Sequence, residues 1–327
     1  MLATMARRTG TLRLGFGLSA MLGLAVGCFD PSLPTVSCGE ANPSCPPRHF
    51  CDFGAGECRR EIGGAETDAG GDASSDGSSN PALSDDGLVV RYFIDEAGTG
   101  QGPNELVDAA NDPQNLSLSY GDNMDLSFSV DNGGNKVLRW ERLGLSGGAN
   151  TDISTGKVRD ALTMATTVTI EAVIQFSRAD GGPGSPILLL GNSIGNGTLA
   201  LRAEATRRLR VYFNIKAVGR YELDQGDERV VVHAVIDTSE ADNSRLVVYA
   251  NGVAQANMSN EEPFSMEFLQ LSPVGQQLLI GNRAPPADNS SIDGAIGYVA
   301  LYSKALDAET VGRHAARLLA SDDNDPN

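Results

Sequence analysis

One stretch of this chain has little choice but to be a β-strand. Val168, Ile170, Ala172, Ile174 and Phe176 alternate with Thr169, Glu171, Val173 and Gln175. Side chains along a strand point to opposite faces in turn, so this pattern predicts a strand that is apolar on one face only. Leu209, Val211, Phe213 and Ile215 alternate in the same way with Arg210, Tyr212, Asn214 and Lys216. Val230 to Ile236 is a more continuous apolar run, as expected of a strand covered on both faces. Arg245 to Ala250 leads into Asn251-Gly252 and then Val253-Ala254. Asn-Gly supplies the positive φ angles of a tight turn, which predicts a hairpin. One clear helix is expected, capped by Asp307 and carrying Val311, Ala315, Leu318 and Leu319. Many strands and few helices make an all-β sandwich or barrel.

Charge excludes some partners. The chain carries a formal charge of −17. Nucleic acid is not expected, because phosphate binding needs clustered Lys and Arg. Anionic lipid surfaces are disfavoured on the same ground. Residues 61–86 hold Glu61, Glu66, Asp68, Asp72, Asp76, Asp85 and Asp86 with no base, amid Gly, Ser and Ala. This reads as a flexible, self-repelling linker. Residues 321–327 read as an acidic tail, with Asp322, Asp323 and Asp325 taken, like the linker acids, as solvated charge.

The first residues read as an address. Arg7, Arg8 and Arg13 precede an uncharged run from Leu14 to Gly27, long enough for a signal-peptide core and short for a membrane span. The run ends in Leu24-Ala25-Val26-Gly27-Cys28, which resembles the lipobox of bacterial lipoproteins, with Ala25 where that motif usually has Leu. The resemblance implies a signal peptide over 1–27 and lipidation at Cys28. The chain would then be exported and lipid-anchored in the bacterial envelope, at the outer membrane or cell surface. Cys38, Cys45, Cys51 and Cys58 follow within residues 28–60, and none occurs beyond. An even count in an exported chain predicts two disulfides, with three pairings open. Gaps of six, five and six residues do not suit a zinc site.

The segment 87–320 resembles the concanavalin A-like/laminin G-like domains. The likeness rests on Gly87 to Ile94 followed by Leu106 to Asp112, on the strand ending in Asn251-Gly252, and on Leu279 to Asn282. Its most specific part is Ile292 to Tyr302 with the tail Lys304 to Val311. It implies a two-sheet antiparallel jelly roll. It also implies a bound Ca²⁺ at the sheet rim, for which Asp95, Asp108 and Asp293 are the candidate ligands at strand ends and turns.

Catalytic patterns are sparse. Gly191-Asn-Ser-Ile-Gly195 fits G-x-S-x-G, but a nucleophile elbow needs a following helix, and Asn196 to Leu201 reads as turn and strand. Paired carboxylates for glycoside hydrolysis are missing from the apolar strands, where Glu171 stands alone. Trp140 follows Val137 and Leu138 and reads as core sooner than as a sugar platform. The expectation is therefore a non-enzymatic binding module, lectin-like or protein-binding, whose partner is a glycan or an envelope protein. A hydrolase on the same fold and a ligand-free spacer are the alternatives.

Overall fold

The computed structural model describes residues 49–52, 57–60 and 82–323, apart from 122–124, 180–183, 192–196, 206, 224–227, 260–261, 265 and 284–288. The chain divides into two compact units, Met1–Ser74 and Ser75–Asn327. In the first, strands β1 (His49–Asp52) and β2 (Glu57–Arg60) pair antiparallel and set Cys51 opposite Cys58. Cys28, Cys38 and Cys45 lie outside the described residues.

The second unit is an antiparallel β-sandwich, as its alternation predicts. One sheet is built from β4 (Glu105–Leu106), β5 (Leu116–Ser119), β8 (Gly148–Asp152), β10 (Ser185–Gly191), β11 (Leu199–Glu204), β12 (Arg208–Phe213), β13 (Lys216–Glu222), β17 (Asn257–Ser259) and β18 (Gln277–Ile280). Its spatial order is β17-β13-β12-β11-β10-β18-β8-β5-β4. The other holds β3 (Leu88–Phe93), β6 (Leu126–Val130), β7 (Lys136–Trp140), β9 (Thr167–Arg178), β14 (Val230–Asp237), β15 (Leu246–Ala250), β16 (Val253–Ala254) and β19 (Asp293–Tyr302). Here the order is β16-β15-β14-β9-β19-β7-β6, and β3 also pairs with β19. Helices α1 (Lys157–Leu162) and α2 (Ala308–Ala320) complete the unit. The inner faces meet in one large core that includes Ile170, Ala172, Ile174, Val211, Val232 and Ile296.

Gly191 closes β10, which pairs antiparallel with β11, so the next element after G-x-S-x-G is a strand, as expected, and not the helix an elbow needs; Asn192 to Gly195 lie outside the described residues. The hairpin at Asn251-Gly252 forms as expected, with φ of 51° and 80°. Strand β12 stops at Phe213, earlier than its alternation predicts. Asn214 and Ile215 form a second tight turn at φ 48° and 65°. Asn214 holds that turn in place by bonding Phe268 O at 2.8 Å and accepting Gln270 N–H at 2.8 Å.

The largest change concerns β9. Its second face is not polar and wet but buried, with Thr169, Glu171 and Val173 all inaccessible. Helix α2 lies over it. Asp307 caps the helix by accepting the Thr310 N–H at 2.7 Å, and Val311, Ala315 and Leu318 face a second core with Val173, Val231, Val235, Tyr298 and Tyr302. Acids assigned to solvent also join the fold. Asp85 pairs with Arg91 at 2.7 Å, and Asp86 with Lys304. Asp322 is fully buried and stands 3.1 Å from Arg229.

Candidate functional site

Two features stand out in the described residues: a buried polar cluster beneath α2 and an open cavity at the sandwich rim.

The cluster follows from strand register. Arg91 on β3 is paired with Ala300 on β19, Ala300 with Glu171 on β9, and Glu171 with His233 on β14. One row across four strands thus carries a cation, a methyl, an anion and an imidazole on the face that α2 covers. The small Ala300 leaves room above it, which Tyr298 and Tyr302 fill from either side along the same strand. His314 descends from α2. Glu171 Oε1 accepts hydrogen bonds from His233 Nε2 at 2.7 Å and His314 Nδ1 at 2.9 Å. Its Oε2 accepts from the hydroxyls of Tyr298 and Tyr302, both at 2.9 Å. Those hydroxyls accept in turn from Arg91 Nε at 3.1 Å and Nη2 at 3.2 Å.

Burial, the largest influence on Glu171, raises its carboxyl. The hydrogen bonds and charges of His233 and His314 together outweigh it and hold the group well below the usual carboxylate range. Burial first, and then the charge of Glu171, pushes the phenols of Tyr298 and Tyr302 far above theirs.

Glu171, His233 and His314 are the one set of three His, Cys, Asp or Glu residues, among those described, whose ligand atoms lie within 4.8 Å of one another. Hydrogen-bond polarity argues against a metal there. Ser84 N–H donates to His314 Nε2 at 2.8 Å. Nε2 therefore bears no proton, and Nδ1 must carry the hydrogen that reaches Glu171. A metal ligand at Nδ1 would need the opposite tautomer. All three side chains are closed to solvent as well, so the cluster has no route for a substrate. Its chemistry is that of a fully engaged carboxylate tying four elements together.

The proposed calcium ligands do not converge. Asp108 is buried, its Oδ1 accepting the N–H of Arg91 and Ala110 at 2.9 Å. Its Oδ2 accepts Gln114 N–H at 2.9 Å and Lys157 Nζ at 2.6 Å. Lys157 also donates to Asn111 O at 2.9 Å, so the positive charge facing this turn is the chain's own. Asp95 lies beyond β3, where its carbonyl accepts Lys136 Nζ at 3.3 Å. Asp293 opens β19, its backbone opposite residue 178 of β9 in the strand register. Trp140 is fully buried, so it offers no platform to a sugar.

The rim cavity was not foreseen. It measures about 240 Å³ and is lined by Val218, Asp242, Asn243, Glu262, Pro263 and Phe264. Val218 comes from β13, Asp242 and Asn243 from the β14–β15 connection, and the rest from the segment after β17. Phe264 is held by a tilted contact with Phe213 at 5.2 Å, and Glu262 N–H bonds Ala217 O at 3.0 Å. Two cations border it: Lys216 is 2.7 Å from Glu262 and Arg245 is 3.1 Å from Asp242. Beside Lys216, Ile215 is 61% exposed at a positive φ. A β-branched residue in that conformation is a local strain that function tolerates more often than packing does.

Fold and site together define an antiparallel β-sandwich with a small mixed apolar and polar cavity at one rim. No family model and no curated protein matches the chain. Among solved structures, it is similar to a Trypanosoma rangeli sialidase in complex with sialic acid, at 14% identity and a TM-score of 0.46 over 73% of this chain and 34% of that one. It is also similar to the binding domain of botulinum neurotoxin DC in complex with rat synaptotagmin II, at 14% identity and a TM-score of 0.47 over 71% and 52%. A SAP-like pentraxin from Limulus polyphemus overlaps at 17% identity and a TM-score of 0.34, over 46% and 70%. The chain spans about a third of the sialidases' length. The likeness is one of fold, and no residue role passes from these proteins to this chain. The expectation of a non-enzyme is not upheld, since sialidases stand among the similar structures.

Proposed function

We propose that this chain is a ligand-binding module of the laminin G-like kind, displayed at the bacterial envelope by a lipidated Cys28, and that its ligand is a glycan seated in the rim cavity. The observation that carries this reading is the cavity itself. Val218, Pro263 and Phe264 offer apolar surface to a sugar face, while Asp242, Asn243 and Glu262 offer acceptors and a donor to its hydroxyls. At about 240 Å³ it is smaller than a drug-sized site, and it suits a single sugar residue at the end or branch of a chain. The acidic linker would give the module reach from its anchor. Peptide mapping without reduction decides among the three pairings open to Cys38, Cys45, Cys51 and Cys58.

The test is binding of the full chain to a glycan panel, sialosides included, with Ca²⁺ and with chelator. Saturable binding that falls at least about ten-fold in Phe264→Ala is expected. Binding equally strong in that variant, or no saturable glycan in either buffer, refutes the reading. The chelator arm decides whether the expected Ca²⁺ takes part.

A further inference from the structure

We propose that the point where the linker joins the sandwich is a latch that opens on acidification, with His314 as the proton-sensing residue. The inference rests on the polarity of hydrogen bonds. His314 is almost fully buried and joins two partners of opposite kind. Its Nε2 accepts Ser84 N–H at 2.8 Å, and its Nδ1 donates to Glu171 Oε1 at 2.9 Å. Only the neutral ring with its proton on Nδ1 can do both. One further proton makes Nε2 a donor facing a donor. The bond to Ser84 is then lost and replaced by repulsion. The bond to the Glu171 carboxylate becomes an ion pair and strengthens, so the ring stays in place and the backbone at Ser84 gives way.

The charged and titratable groups around His314 come from five elements and the leading segment and pull both ways, with the anion Glu171 in direct contact. Glu171 comes from β9, Tyr298 and Tyr302 from β19, and His233 from β14. Arg91 comes from β3 and Asp85 from the leading segment. Arg313 and Arg317 flank His314 on α2 itself, and Arg317 turns away to Ser321 O. Glu171 is the anion that a protonated His314 would meet. His233 is not an equivalent sensor. Its Nε2 already donates to Glu171, and its buried Nδ1 has no partner, so a proton there would go unmatched. Histidine is also the one side chain whose ordinary charge change falls between about pH 5 and pH 8.

The latch reaches beyond one bond. Ser84 O accepts Arg91 Nη2 at 2.8 Å, and Asp85 accepts Arg91 Nη1 at 2.7 Å. Residues 82–86 are thus fastened to the sheet by Arg91 and to α2 by His314, with Asp86 paired to Lys304 and Leu83 packed against the second core. Acid removes the His314 bond and leaves the others. The sandwich stays folded, while the last linker residues gain freedom from the helix.

Site-resolved amide hydrogen exchange on the full chain tests this between about pH 8 and pH 5, after correction for intrinsic rates. Protection of the Ser84 amide should fall about ten-fold or more on acidification, as for one lost buried hydrogen bond. The Ala172 amide on β9 should keep its protection. In His314→Gln, whose carbonyl can accept from Ser84 while its NH₂ donates to Glu171, the Ser84 amide should not respond to pH. Constant Ser84 protection in wild type, equal loss at Ser84 and Ala172, or an unchanged response in His314→Gln each overturns the proposal. Should that variant fail to fold, the ¹⁵N shifts of His314 in the wild-type chain decide. Nε2 must be unprotonated at about pH 8 and gain its proton as Ser84 protection falls; a protonated Nε2 at the higher pH refutes the latch.

Discussion

Glu171→Gln should destabilise the sandwich by about 3–5 kcal/mol at neutral pH, the range for breaking one partner out of a buried charged network. The substitution keeps shape and volume, so the loss is electrostatic. Glu171 accepts four hydrogen bonds, two from imidazoles and two from phenols. An amide has one oxygen and one NH₂. With its oxygen toward the histidines, the NH₂ confronts two hydroxyls whose oxygens already accept from Arg91. Their hydrogens then have no acceptor. Turned the other way, the NH₂ meets His314 Nδ1–H, which cannot change tautomer while Nε2 accepts from Ser84. Neither orientation satisfies the cluster, and Arg91 keeps only Asp85 as its anion, a side chain 71% exposed. Chemical denaturation gives the assay. Trp140 is the single tryptophan and is fully buried, so its emission reports unfolding. The pH dependence follows from the depressed carboxyl of Glu171. A group lowered by folding adds stability above its unfolded value, about 4.3, and loses that contribution as pH falls toward its folded value. The gap between variant and wild type should therefore be present at neutral pH, grow as His314 gains the proton proposed above, and narrow only below about pH 4. A variant within about 1 kcal/mol of wild type at pH 7 would falsify the account of the cluster.

Gly281 has φ of 81°, and a Cβ there would stand 2.1 Å from Trp140 Cη2. Gly281→Ala should cost about 2–4 kcal/mol from left-handed backbone and overpacking, with a changed Trp140 near-ultraviolet dichroism in whatever folds; an unaltered spectrum refutes the contact. Asp322 is pushed up to about 7, first by burial and then by Asp323 and Asp131, against the opposing pull of Arg229. Because folding raises this carboxyl, wild type loses stability as pH rises through about 7. Asp322→Asn should gain about 2 kcal/mol relative to wild type between about pH 4 and pH 8. Urea titrations at the two pH values check this, and a constant difference would count against it.

Period-two alternation disclosed β9 because apolar residues on one face are visible in any nine-residue window. The polar face of the same strand was misleading for a physical reason. Glu171 and Thr169 look like solvent-facing positions until α2, more than a hundred residues later, lies over them. Glu171 and His314 are 143 residues apart, and only the pairing of β9 with β14 and the docking of α2 bring the three side chains together. A usable signal was present: Val173 places an apolar side chain on the supposedly wet face of β9, Val230 to Ile236 reads as covered on both faces, and α2 carries an apolar stripe that needs a partner. Asn251-Gly252 was legible as a turn because its residues favour positive φ. Asn214-Ile215 was not, because isoleucine resists that conformation and the staple from Asn214 to residues 268–270 is long-range. The rim cavity was hidden likewise, since its lining is assembled from three separate segments.

β19 is the last strand among the described residues, yet it lies within its sheet, paired with β9 on one side and with β7 and β3 on the other. β18, the last strand but one, holds the corresponding interior place in the facing sheet, between β10 and β8. A polypeptide emerging N-terminus first therefore lacks β18 until Ile280 and β19 until Tyr302 has appeared. Such non-local topology folds slowly because loop-closure entropy must be met before the contacts that offset it can form. Synthesis alone therefore cannot commit this domain to its final shape.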